Sequence, residues 1–373
     1  MAAAYLAADP GPISGAIVVP DGHGLLPGET LPGVEVLEAA HPVPDARAIT
    51  AAERLLSIAA AATADDRVVF LVSGGASALL EAPCAGLSLE DIQAVNRELL
   101  RCGASIHEIN RVRRRLSRIK GGGLARAAIP AEVQVLAISD VPGDRIADIG
   151  SGPCSPDPAG DSDALDVLRR YHCRVPDAVM ELLGRGQSSS ASAESFPARV
   201  TECLIACADD ALAAAGRAAQ ALGYRARLLG SDIDQPAVSL AGDHARLAAD
   251  ELADGQAVAL ISGGETTVSL PHNAGQGGRN TTYLLALMRA LRGRSGIHAL
   301  AADTDGIDGD GDHAGAWFVD AHWEQAAALG LDADRCLAAA DSYRFFNELG
   351  TLIRSGPTRT NVNDLRVILV RPG

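Results

Sequence analysis

The chain has 373 residues, enough for two or three domains at roughly 150 residues each. Apolar residues make up 47% and charged residues 21%, a globular balance that excludes a disordered chain. The net charge of −15 argues against a general nucleic-acid binder or an anionic-membrane binder, though not against one local basic site. Aromatics are only 3%, so the core must be built from Ala, Val, Leu and Ile. No apolar run reaches the roughly 18 residues of a membrane span, and Met1–Ala8 lacks the basic region of a signal peptide. Seven scattered cysteines then read as reduced thiols in a cytoplasmic protein. Of 32 basic residues a single one is lysine, Lys120, so any lysine-dependent chemistry has one candidate.

In chain order, Ile13–Val19 and Val34–Ala39 read as strands, and Ala46–Ala61 as a helix. Arg67–Val72 is a short apolar strand leading into Ser73-Gly74-Gly75. Leu89–Arg101 is a helix with Ser88 as N-cap and Glu90 and Asp91 in its first turn. Ile106–Ile119 reads as a basic helix ending at Gly121-Gly122-Gly123, and Val133–Ile138 as a strand ending at Ser139-Asp140. Gln187–Ala198 has the composition of a surface loop. Beyond it come the strand-like Val200–Ala206, the helix Ala208–Leu222, the strand Arg225–Leu229 and a long helix over Gln235–Asp254 that could bridge into a second domain. Ala257–Ile261 repeats the earlier pattern by running into Ser262-Gly263-Gly264. Ala299–Ala302 and Val367–Val370 are the last strands. The alternation implies an α/β fold, mostly parallel sheet covered by helices, with ligands expected at strand carboxyl ends.

Those ends carry the candidate chemistry. Ser73, Gly74, Gly75 and Ser77 supply hydroxyls and a backbone open to an anion; the alternative is a tight strand-to-helix turn. Six cations fall within residues 111–120, and for most of the arginines a solvated helical face is expected. Lys120 differs, because it stands against a triple glycine where it can turn toward a site. Asp140 and Asp144 follow a strand and could orient a hydroxyl, accept its proton or hold a metal; the alternative is an Asx turn before Pro142. Gly277-Gly278-Arg279-Asn280 suits a phosphate clamp, against a surface hairpin with a solvated arginine. Asp303–His313 is very acidic but fails the EF-hand pattern, leaving one Mg²⁺ held with phosphate help or a capped surface loop.

Taken together these segments resemble the glycerate 2-kinases of the two-domain type with a C-terminal MOFRL domain, some of which carry older hydroxypyruvate-reductase names. The resemblance lies in HPVPD at His41–Asp45, VSGGASALL at Val72–Leu80, IHEINRVRRRLSRIKGGGL at Ile106–Leu124, SDVPGD at Ser139–Asp144 and SGPCSPDP at Ser151–Pro158. It continues in SGGETTV at Ser262–Val268, GGRN at Gly277–Asn280, DTDGIDG at Asp303–Gly309 and GPTRTNVNDL at Gly356–Leu365. The ordered set spans nearly the whole chain.

The resemblance implies a Rossmann-like domain over residues 1–235, a MOFRL domain over 236–373 and an interdomain cleft. It implies ATP- and Mg²⁺-dependent transfer of a phosphoryl group to the 2-hydroxyl of D-glycerate. With the charge and cysteine usage above, the expected partners are D-glycerate and ATP in a cytoplasmic protein that engages neither nucleic acid nor membrane, while the oligomeric state, a homodimer among the options, stays open. Arg279, Asp140 and Lys120 become the expected catalytic residues. Ser73, Gly74, Gly75, Ser77, Asn110, Ser151, Gly152, Ser262, Gly263, Gly264, Glu265, Gly278 and Asn280 become the expected substrate and phosphate binders, and Asp144 and Asp305 the expected metal ligands.

Two departures stand out. Family members begin several dozen residues earlier, with a first helix and a Gly-Lys-Ala turn bearing a catalytic lysine. Here Met1–Ala4 resembles the helix just after that turn, and no lysine precedes Lys120, so an incomplete and weakly active kinase is expected. The GGRN segment usually runs toward a Glu, where this chain has Thr281 and Thr282. Two other functions stay open on the sequence. One is a catalytically impaired, ligand-binding homologue. The other is an NAD(P)H-dependent hydroxypyruvate reductase, which needs a dinucleotide loop, whereas no GxGxxG fingerprint occurs in the chain.

Overall fold

A computed structural model describes residues 1–8, 11–156, 163–185, 196, 199–269, 271 and 274–372. Most of the loop expected over Gln187–Ala198 lies outside them. The chain divides into two compact units, Met1–Ile205 and Ala206–Gly373.

The first unit contains α1 (Ala2–Ala8), β1 (Gly15–Pro20), β2 (Val34–Ala39), α2 (Ala46–Ala60), β3 (Arg67–Val72), α3 (Ala76–Leu79), α4 (Leu89–Arg101), α5 (Ile106–Leu116), α6 (Gly123–Ala127) and β4 (Glu132–Ile138). A 3-10 segment over Ile146–Ser151 precedes α7 (Asp163–Arg170), α8 (Asp177–Gly184) and β5 (Val200–Ala206). β1 and β2 form a parallel pair, and β3, β4 and β5 a second sheet in which β3 and β4 are parallel. Small and aliphatic side chains fill the space around that second sheet: Ala52, Val72, Ala125, Val133, Val135 and Ile149. A separate helical core joins Ile92 and Leu99 of α4, Ile109 and Val112 of α5, and Val167 and Leu168 of α7.

Sequence rules account for the helix starts. Ser88 with Asp91, and Ser105 with Glu108, form reciprocal capping boxes at α4 and α5. The helix expected to reach Ile119 stops at Leu116. Ser117 turns extended, and the chain there bonds backwards instead, with Cys84 N donating to Leu116 O at 2.9 Å and Arg118 N to Ala82 O at 2.7 Å. The arginines of α5 are not a solvated face either. Arg114 and Arg115 are buried, and burial lowers the pKa of Arg113.

The second unit contains α9 (Ala208–Ala221), β6 (Arg225–Leu228), α10 (Ala237–Ala253), β7 (Val258–Ser262), α11 (Arg279–Ala290), β8 (Ile297–Asp303), β9 (Gly315–Phe318), α12 (His322–Ala328), α13 (Ala333–Ala338), α14 (Ser342–Leu349), β10 (Leu352–Ile353) and β11 (Asp364–Val370). Its six-stranded sheet has the order β10-β9-β8-β11-β7-β6. β6 and β7 pair in parallel, while β11 runs antiparallel between β7 and β8. The sheet is therefore mixed: β6, β7, β8 and β10 run one way, β9 and β11 the other. Because β6 pairs with β7, residues 206–235 group with the second unit, whereas the sequence reading drew its line at 235. Helices cover both faces of the sheet. Val258 and Leu260 pack with α10 and α11, and Ala259 and Ile261 with α9. Burial on both faces is why β7 reads as an unbroken apolar run.

Candidate functional site

In the first unit the turn after β3 lies against the loop after β4. A Cβ placed on Gly74 would come within 1.6 Å of Asp140 Oδ2, so only glycine lets the half-buried Asp140 carboxylate approach this backbone. The His41 ring sits over the next residue, its Nε2 3.2 Å from where a Cβ on Gly75 would stand. The helix that follows, α3, is a single turn, too short to add a sizeable N-terminal dipole to this backbone. Hydroxyl contacts extend the cluster. Ser77 Oγ and Ser151 Oγ are 3.0 Å apart, Ser151 Oγ donates to Asn110 Oδ1 at 2.8 Å, and Asn110 Nδ2 donates to Asp148 O at 3.3 Å. Gly122 N donates to Gly152 O at 2.8 Å. Ser73, Gly74, Gly75, Ser77, Asn110, Asp140, Ser151 and Gly152 thus share one neighbourhood. A cavity of about 1010 Å³ reaches it, lined by Ser73 and Gly74 together with Ile17, Val69 and Leu71.

Lys120 is not directed at an open site. Its side chain is 1% exposed and is bonded to the equally buried Glu81, with Nζ also donating to Leu80 O at 3.1 Å. Burial lowers its pKa, opposed by Glu81. Asp144 stands in a turn closed by its own N–H on Val141 O, at positive φ.

In the second unit the expected loop around Arg279 is instead the first turn of α11, a helix buried along most of its length. Arg279 is its first residue and touches three carboxylates: Nε donates to Asp364 Oδ1 at 2.9 Å, Nη1 to Glu265 Oε1 at 2.9 Å, and Nη2 to Asp303. Burial works against the guanidinium charge, but these carboxylates hold its pKa above the usual range. Burial, with Asp364 and Asp305 nearby, pushes Asp303 up to about 8 despite Arg279. Asp308 caps the helix. It accepts from Asn280 N and Thr281 N, both at 2.9 Å, and from Thr281 Oγ1 at 2.9 Å. A Cβ on Gly278 would come within 2.2 Å of Asp308 Oδ1, which fixes glycine there. Thr281, where the sequence suggested a missing acid, is thus engaged by an acid from another loop.

The turn Ser262-Gly263-Gly264 is held by Arg366, a fully buried arginine whose Nη1 donates to Gly263 O at 2.6 Å. Its Nη2 bonds to Asp364 and donates to Gly264 O at 3.3 Å. Arg366 lies over the Tyr283 ring, whose hydroxyl meets His244 Nδ1 at 2.7 Å. Two buried polar atoms here, Ser262 Oγ and Asn280 Oδ1, have no hydrogen-bond partner. Asp305 accepts from Ile307 N at 2.7 Å and does not touch Arg279.

Of the acidic loop Asp303–His313 only Asp305 was an expected site residue; Asp303 and Asp308, like Asp364 and Arg366, were not among them. A usable signal existed for the first, since Asp303 ends a strand just as Asp140 nearly does. For Asp364 and Arg366 it was the two-residue alternation along β11, which buries both on one face. Among the described residues no group of three or more His, Cys, Asp or Glu side chains is arranged to hold a metal ion, and no helix is long and apolar enough to cross a membrane.

Residues 1–184 match the DUF4147 domain, described as a domain of unknown function, and residues 258–364 match the MOFRL family. A protein of Agrobacterium vitis that carries a hydroxypyruvate reductase name is 43% identical, over 99% of this chain and 84% of its own length. A glycerate 2-kinase of Pyrococcus horikoshii is 38% identical over 92% of this chain and 79% of its own. The crystal structure of a glycerate kinase from Thermotoga maritima matches with a TM-score of 0.86 at 36% identity, over 96% of this chain and 85% of that one. These matches define a two-unit α/β protein with a DUF4147 segment followed by a MOFRL segment. The chain belongs to the glycerate 2-kinase family.

Proposed function

We propose that the chain transfers the γ-phosphoryl group of ATP to the 2-hydroxyl of D-glycerate, giving 2-phosphoglycerate. The observation that carries this reading is Arg279, fixed at the start of α11 by Asp303 and Asp364 while Glu265, half exposed, can swing away. Phosphoryl transfer needs positioning and charge stabilisation more than covalent chemistry, and a pre-set guanidinium supplies both. The unpartnered Ser262 Oγ and Asn280 Oδ1 beside it suit a polar ligand. In the first unit, Asp140 orients the glycerate hydroxyl or accepts its proton, and Ser73, Ser77 and the Gly74–Gly75 backbone bind the carboxylate or a phosphate. Lys120 acts at one remove, with Glu81, by fixing the segment that carries Ser77.

Mg²⁺ would arrive with ATP and take most of its ligands from phosphate and water, so one or two carboxylates suffice. Asp305, partly exposed beside Asp303, suits that role by charge and position. The reductase name carried by some relatives offers a second reading. Both are tested by one pair of assays on the purified chain: ADP release with ATP, Mg²⁺ and D-glycerate, and NAD(P)H oxidation with hydroxypyruvate. Turnover in the first and none in the second supports the kinase, and the reverse overturns it.

A further inference from the structure

Cys102 and Cys173 lie 71 residues apart in sequence, yet their Sγ atoms are 3.7 Å apart. Cys102 is the C-cap of α4, and Cys173 follows α7, its N–H donating to Leu168 O at 2.9 Å. The two segments are tied side by side independently of the thiols. Glu98 of α4 accepts from Arg174 N at 3.1 Å, next to Cys173, and also binds Arg101. The same helical core packs beneath both, with Leu99 and Leu168 buried in it. Both thiols are partly exposed, unlike Cys84 and Cys154, which are buried.

We propose that Cys102 and Cys173 are an oxidisable dithiol, a modification site that closes reversibly into an intramolecular disulfide on reaction with a peroxide or a small-molecule disulfide. With hydrogen peroxide, one thiolate attacks an O–O oxygen, becoming a sulfenic acid as water leaves. The second sulfur attacks the first, forming the S–S bond and releasing a second water, so that two thiols and one peroxide give one disulfide and two waters. Burial, followed by the neighbouring Cys102, raises the pKa of Cys173, and with the two sulfurs 3.7 Å apart either can make the first attack and the other resolve it. Closure needs the sulfurs to approach from 3.7 Å to the roughly 2.05 Å of a disulfide, a movement within the reach of side-chain rotation. The bond would fasten the end of α4 to the end of α7. Both helices pack on α5, the helix that carries Asn110.

The test uses the full chain, reduced, desalted and then exposed to hydrogen peroxide or glutathione disulfide, with peptide mapping under non-reducing conditions. The expected product is a Cys102–Cys173 cross-linked peptide that dithiothreitol releases. It should be absent from both Cys102→Ser and Cys173→Ser. Oxidised wild type should melt several degrees above either variant treated identically, because a link across a long loop restricts the unfolded chain. The proposal is overturned if both thiols remain alkylatable while exposed Cys203 is oxidised, if the cross-links join other pairs, or if the linked protein melts no higher than the variants.

Discussion

Asp303 and Asp364 stand directly opposite each other across the β8–β11 pair, and one guanidinium, Arg279, bonds to both. Two carboxylates facing across a ladder repel when both are ionised, and burial together with this repulsion raises the pKa of Asp303. The arginine at the start of α11 resolves that repulsion, and in doing so is locked in orientation. The same side chain is the one proposed above to stabilise the transferring phosphoryl group.

Arg279→Ala should lower kcat by about 10³-fold or more, the usual cost of removing a transition-state cation in phosphoryl transfer. The fold should survive, because the freed Asp303 is buried and takes up a proton readily. Near-parental kcat in a folded variant would remove Arg279 from the chemistry.

Gly74→Ala should behave as a disguised Asp140 mutation. The added methyl would occupy the position of the Asp140 carboxylate and push it out of place. Asp140→Asn should depress kcat far more than ATP affinity, and Gly74→Ala should do the same. In the Asp140→Ala background, Gly74→Ala should cost little more, so the two effects are strongly non-additive. Full additivity in a double-mutant cycle would separate the two residues.

The buried Lys120–Glu81 pair should be costly to break from one side. Lys120→Met or Glu81→Gln alone should destabilise by about 3–5 kcal/mol, since each leaves a buried partner uncompensated. The double variant Lys120→Met, Glu81→Leu should recover much of the loss, as read by chemical denaturation. If Lys120→Met is stable yet inactive, the lysine acts directly on the reaction.

Burial, aided by Arg366, pushes His244 down to about 4 from its ordinary 6.5. The folded state therefore resists taking a proton that the unfolded chain accepts. The stability owed to this neutral ring is complete above about pH 6.5 and is lost as pH falls toward 4. Between pH 7 and pH 5 the wild type should lose about 2 kcal/mol relative to His244→Asn. Parallel pH–stability curves for the two proteins would show that His244 does not titrate in this way.

The parts legible in the sequence were those set by local rules. Apolar runs gave β3, β4 and β7, and Ser88 with Asp91 marked the start of α4. The glycine-bearing turn beside Asp140 is legible because it directly follows the apolar strand β3, and the glycines before Arg279 mark a backbone open to close approach, there the start of α11. What escaped notice depends on distant partners. Lys120 looked available from its glycine neighbours, but Glu81, from a remote segment, buries it. Arg279 looked like a loop residue because the cap that makes it helical, Asp308, comes from another loop. Neighbour order in the mixed sheet is equally non-local, as β11 arrives last and inserts between β7 and β8.

Locating the phosphate on the product distinguishes a glycerate 2-kinase from every other reading of this chain. The purified chain is incubated with ATP, Mg²⁺ and D-glycerate, and the products are resolved by ³¹P NMR. 2-Phosphoglycerate and ADP should form in equal amounts, with both lost in Arg279→Ala. Formation of 3-phosphoglycerate, or no phosphorylated glycerate from a folded protein, would contradict glycerate 2-kinase activity.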